Sequence, residues 1–146
     1  ELSEFILAFW LKRDKDNPAK AWISYLKRIE ECNKIFGTQL RKGYLTDRGR
    51  VYMEYGPPNS VLESENAMLS YPYQIWHYYQ LSDFQHNKKF VFFNRTGTMD
   101  EYELIHSDAS GEVRNADWKK LISRYNNLNP TEEDVFGDFL DDDFGQ

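Results

Sequence analysis

Residues able to do chemistry are few in this chain. The three histidines, His77, His86 and His106, form no H-x-x-x-H or H-E-x-x-H pair. A helix therefore presents no two metal ligands on one face. His77 and His106 fall in segments of strand composition and could approach across a sheet. Two imidazoles without a placed carboxylate still make a poor metal site. Cys32 is the single cysteine. It can form no internal disulfide and no Cys-based zinc site. It lies on an apolar helical stripe and reads as a small buried hydrophobe. No nucleophile-elbow motif marks a serine. Gly43, Gly49 and Gly56 are too widely spaced for a phosphate loop, and none opens an apolar helix. Acid pairs such as Asp100-Glu101 and Glu132-Glu133 read as solvated charge. No catalytic, cofactor or metal residue is assigned.

The informative stretch is Gly43-Tyr44-Leu45-Thr46-Asp47-Arg48-Gly49-Arg50-Val51-Tyr52, with Tyr55-Gly56-Pro57-Pro58 after it. Thr46 and Asp47 can bond backbone N–H groups two residues on and fix a turn. Gly49 would permit a positive φ. In an extended chain Arg48 and Arg50 share one side, where both guanidiniums could grip an acidic surface. The competing reading is a turn that orients the first strand, with Arg48 paired inside the domain. A ligand-binding or hydrolytic cleft around Asp47, Arg48 and His106 is the alternative functional reading.

The elements that would position these residues follow from periodicity. Leu2, Phe5, Ile6, Phe9 and Trp10 have helical spacing with one broad aromatic face. Asn17-Pro18 reads as an N-cap with Pro at N1, starting a helix that runs to Phe36 and stops at Gly37. Its core stripe includes Trp22, Tyr25, Leu26, Ile29, Cys32 and Ile35. Residues 50–55 have strand composition, and Gly56-Pro57-Pro58 ends that strand. Residues 59–70 read as a polar loop. Strands are expected over 73–81, 88–94 and 102–106, with a hairpin turn at 95–98. Asn115 or Asp117 opens a last helix carrying Trp118, Leu121, Ile122 and Tyr125, and Asn129-Pro130 stops it. The sum is an α+β domain, with an N-terminal helix pair packed on a three- to four-stranded antiparallel sheet. Aromatics fall on both sheet faces: Tyr52 and Tyr55, Trp76 and Tyr79, Phe92 and Phe93.

The charge is unevenly placed. The chain has 146 residues, 40% of them hydrophobic and 16% aromatic, so it suits one folded domain. Its net charge of -6 belongs to the last fifteen residues. Glu132 to Gln146 holds seven acids and no bases, while 12–50 holds eleven bases and five acids. We therefore read 1–131 as the domain and 132–146 as an acidic tail, punctuated by Phe136, Phe139, Leu140 and Phe144. The tail would dock on the basic 12–50 region or on a second chain. Nucleic acid fits poorly, because the tail would repel phosphate. No run approaches the ~18 apolar residues of a membrane span. Without an initiator Met or a signal peptide, the chain reads as processed or excised.

The Gly43–Pro58 residues resemble the GWxTD-domain family of Bacteroidota, and the flanks agree. Phe9-Trp10, Arg13-Asp14 and Arg28 resemble its N-terminal helical part. Tyr73, Ile75-Trp76 and Tyr78 resemble one of its strands, and Phe92 with 102–107 resembles its later strands. Tyr44 stands where the family's name places Trp. The resemblance covers roughly residues 5–118. It implies an envelope protein, periplasmic or outer-membrane-associated, of which this chain is a C-terminal domain. It supplies no catalytic residues. The element order is also loosely similar to small outer-membrane lipoproteins of the barrel-assembly machinery. The expected function is a non-enzymatic interaction domain with a protein partner, without cofactor.

Overall fold

The computed structural model of the chain describes residues 2–65, 69–97 and 101–124. The acidic tail, Tyr125 and the expected stop at Asn129-Pro130 lie outside these residues. The chain is α+β: among the described residues there are four α-helices and a four-stranded antiparallel sheet in the order β1-β2-β3-β4. It divides into two compact units, 1–56 and 57–146, each with its own packing.

The first unit is helical. Helix α1 spans Leu2–Arg13 and α2 spans Pro18–Phe36. The start of α2 is as the sequence predicts. Asn17 Oδ1 accepts the Lys20 N–H at 2.9 Å, and Pro18 occupies the first turn, where no N–H is needed. Gly37 closes α2 by donating its N–H to Asn33 O at 3.0 Å, in an extended rather than left-handed conformation.

The expected strand at 50–55 is a helix. A short 3₁₀ turn over Gly43–Leu45 leads into α3, Asp47–Tyr55. Thr46 caps α3, with its hydroxyl accepting the Gly49 N–H at 3.0 Å. Asp47 places an acid in the first turn, where the helix dipole favours it. A capped start outweighs the β-propensity of Val51, Tyr52 and Tyr55, because that propensity mostly reflects fit to a half-buried sheet. Gly56 ends the helix at φ 81°, donating its N–H to Tyr52 O at 2.9 Å. So the Gly-Pro-Pro run terminates a helix, not a strand, and Tyr52 and Tyr55 are not sheet residues.

The second unit holds the sheet. Its first strand, β1 (Ser60–Ser64), lies inside the segment expected to be a loop. Asn59 locks its entry: its N–H reaches His77 O at 2.9 Å and its Oδ1 accepts Tyr79 N–H at 2.8 Å. Strands β2 (Tyr73–Ser82), β3 (Gln85–Phe93) and β4 (Glu103–Ser107) complete the sheet. Pairing sets Ile75 opposite Leu62 and Val91, and Tyr73 opposite Phe93. These side chains share one face, where they form a core with Ile122 of α4 (Trp118–Ile122) and with Trp118, Tyr71 and Ile105 beside it. The opposite face carries Trp76 and Tyr78 beside Phe92 and Phe90, with ring centroids 4.7 and 5.4 Å apart. The sequence expectation of aromatics on both faces holds for Trp76 and Tyr79 and for Phe92 and Phe93. Helix α4 is short and ends at Ile122. There Ser123 bridges to Ser70, and Tyr71 N–H bonds Ile122 O at 2.8 Å.

Two of the three sheet histidines, His77 and His106, are part of this packing. His106 Nδ1 accepts the Asn115 N–H at 3.1 Å, and its ring stacks on Trp118 with centroids 6.1 Å apart. Burial pushes its pKa below the usual 6.5, against the opposing pull of Asp108. His77, against Tyr79, is also lowered, by burial first and then by Lys89. A lowered folded-state pKa means the unfolded chain binds the proton more readily. The stabilisation is thus complete above about pH 6.5 and lost as the pH falls through the folded-state values. Urea melts should show a less stable sheet unit at pH 5.5 than at pH 7.5. Changing His77 and His106 together to Gln should flatten that difference.

Candidate functional site

The Gly43–Arg50 residues gather at one point in the first unit, where α2, the 3₁₀ turn and α3 meet. Asn33 Oδ1 accepts the Gly43 N–H at 2.8 Å. Gly43 O in turn accepts both the Thr46 N–H at 3.0 Å and the Thr46 hydroxyl at 2.6 Å. The same hydroxyl accepts from Gly49, so Thr46 is donor and acceptor at once and is 7% exposed. A Cβ on Gly49 would collide with Gly43 O, and would sit 2.6 Å from Gly43 C and 2.9 Å from Cys32 Sγ. A Cβ on Gly43 would collide with Cys32 O and lie 2.8 Å from Asn33 Cα. Both glycines are therefore required by close backbone approach. Gly49 is helical, and the positive φ expected for it is absent.

Cys32 is sealed under this contact. It is 0% exposed, and its thiol points at Gly49 O at 3.5 Å. Burial pushes its pKa up, keeping it protonated and unreactive.

The two arginines separate, because positions two apart on a helix point to different sides. Arg48 is 6% exposed, with its guanidinium 5.3 Å from the Phe36 ring. Phe36 also meets Tyr52 edge-on at 5.6 Å. Arg50 is exposed and pairs with Glu54 at 3.1 Å. The shared grip expected of them in an extended chain does not form. Asp47 and Arg48 belong to the first unit and His106 to the second. Trp76 and Tyr78 belong to the second unit's sheet. Phe136, Phe139, Leu140 and Phe144 lie outside the described residues.

A second feature was not predicted. Trp22 and Tyr25, expected on the core stripe of α2, are 36% and 41% exposed. Together with Phe5, Phe9 and Trp10 of α1 they line a groove of about 650 Å³, edged by Arg13, Arg28 and Glu54. Trp10 is its buried floor and meets Tyr25 at 5.2 Å, Phe9 at 5.3 Å and Trp22 at 5.6 Å. The Arg13 guanidinium lies 4.0 Å over the Phe9 ring, a cation–π contact. Arg28 donates to Met53 O at 3.2 Å, tying the groove to α3. The sequence signal was available: Phe5, Leu7, Phe9 and Leu11 alternate along α1, so that helix is apolar on every side.

Among the described residues no group of three or more His, Cys, Asp and Glu is placed to hold a metal ion. No helix among them is long and apolar enough to cross a membrane.

The glycine-threonine junction is a turn-and-cap motif that organises the helical unit of this α+β chain. The chain belongs to the GWxTD domain family, whose model matches residues 2–127. No curated protein and no solved structure matches it.

Because Thr46 acts twice, Thr46→Ala should cost about 1–2 kcal/mol and Thr46→Ser much less. Gly49→Ala forces the backbones apart and should cost about 3 kcal/mol or more. Thermal melts give the ranking, and the rate of Cys32 alkylation reports opening of the same junction. Arg48→Ala should lower the melting temperature as a buried packing residue does.

Proposed function

We propose that this is a non-enzymatic protein-interaction domain of a larger exported protein in the cell envelope of Bacteroidota. The observation that carries the interaction reading is the apolar surface of α1 and α2. Phe5, Leu7 and Ile23 are 67%, 55% and 60% exposed. Apolar surface gathered this densely costs free energy in water and is relieved by a covering partner. The signature residues support the non-enzymatic reading, since Gly43, Thr46, Arg48 and Gly49 are all consumed by backbone contact, capping and packing. The envelope placement rests on family membership alone. The partner we propose is a protein of an envelope or outer-membrane complex, with the acidic 132–146 segment contributing contacts of its own.

Photo-crosslinking tests this. A crosslinker at Phe5 or Ile23, in the native host, should trap a specific envelope protein. Leu7→Asp should abolish the product while leaving the melting temperature within about 2 °C, because an exposed site contributes little to folding. Crosslinks that persist through Leu7→Asp, or their absence from the envelope fraction, would refute the reading.

A further inference from the structure

We propose that the protein partner docks by seating an acidic amphipathic helix in the α1–α2 groove. The inference deepens the interaction reading and rests on it. The groove lies wholly within the 1–56 unit. Its walls are aromatic: Phe5, Phe9, Trp22 and Tyr25 are 36–67% exposed around the buried Trp10. Two guanidiniums stand among them. Arg13 and Arg28 each lie one helical turn beyond a member of the Trp10–Tyr25 contact. Neither forms an ion pair among the described residues. The nearby carboxylates are engaged elsewhere. Asp14 Oδ1 accepts the N–H groups of Asp16 and Asn17 at 3.0 and 2.9 Å. Glu54 pairs with Arg50 at 3.1 Å. Arg28 gives one N–H to Met53 O, and Arg13 rests over Phe9. A guanidinium stacked on a ring keeps its edge donors for a carboxylate. An aromatic trough with two such cations selects a ligand that joins apolar side chains to carboxylates.

The form of that ligand follows from the walls. Both are α-helices, whose backbone N–H and C=O groups are paired within the helix. An extended peptide would find no ladder there to join. A helix satisfies its own backbone and docks through side chains alone. From Phe5 to Arg13 the groove wall runs about 12 Å along α1. A partner helix with apolar residues at i, i+4 and i+7 covers about 10 Å. Acids flanking that stripe would meet Arg13 and Arg28. Buried rings supply the affinity, while carboxylate pairing sets the register and rejects basic helices.

The probe is a displayed library of random peptides of roughly 15 residues, about four helical turns, selected against the full chain. Enriched peptides are expected to carry net negative charge and an apolar i, i+4, i+7 stripe. Labelled with a fluorophore and followed by anisotropy, they should bind saturably. Arg13→Glu should weaken binding roughly tenfold, and Phe5→Ala by as much. Both positions are exposed, so both variants should fold, which melting temperatures check. Trp22→Ala replaces Phe5→Ala if that variant melts early. Raised salt should weaken binding too, because the pairs stand at the surface. A selection that enriches no peptide, or only neutral or basic ones, overturns the proposal. So does an acidic peptide whose binding is indifferent to Arg13→Glu or to the groove variant. If that happens while Phe5 crosslinks remain Leu7-dependent, the ligand class is wrong and the interaction reading survives. If the crosslinks fail as well, both fall.

Discussion

The approach of Gly49 to the Gly43 carbonyl is the constraint from which the helical unit follows. Gly49 has room for no side chain because the Gly43 carbonyl lies against it, and Gly43 has room for none because the Cys32–Asn33 backbone of α2 lies against it. The Thr46 hydroxyl bonds across the contact in both directions, so the carbonyl and the amide brought together there are satisfied rather than stranded. Cys32 fits beneath because its side chain is small. Arg48 and Phe36 close one flank, and Arg28 reaches Met53 from the other side. Remove the close approach and none of these contacts keeps its geometry.

How legible this was in the sequence depended on whether the signal was local. The Asn17-Pro18 start of α2 is written in adjacent residues, and it forms as expected. The start of α3 was also written, in Thr46-Asp47, but the β-rich composition that follows concealed it. The strand reading then misplaced Arg50 beside Arg48 and gave Gly49 a conformation it does not need. A close approach between residues six apart in sequence leaves no mark in propensity. Strand β1 escaped notice because Ser-Val-Leu-Glu-Ser is only five residues long and holds just two large apolar side chains, Val61 and Leu62. The sheet core was easier: the runs at 73–82 and 85–93 are long and aromatic, and both faces hold the residues expected there.

The groove shows the opposite error. Periodicity finds which residues share a helix face, but it does not say whether that face is covered. Trp22 and Tyr25 were correctly placed with Cys32 on one stripe of α2. Cys32, near the C-terminal end, is sealed by α3, while the two aromatics near the start face α1 only in part. Helix α1 cannot shield them fully. Its own apolar residues point in all directions, leaving Phe5, Leu7 and Phe9 in water as well.

The family's signature is therefore spent on main-chain geometry, and it makes few demands on the side chains of α1 and of the first turns of α2. Phe5, Leu7, Trp22 and Ile23 are each more than a third exposed and lie outside the Gly43–Gly49 contact. A scaffold divided in this way is suited to diversification. Paralogues could keep one invariant hinge of backbone and present a different recognition surface on each copy.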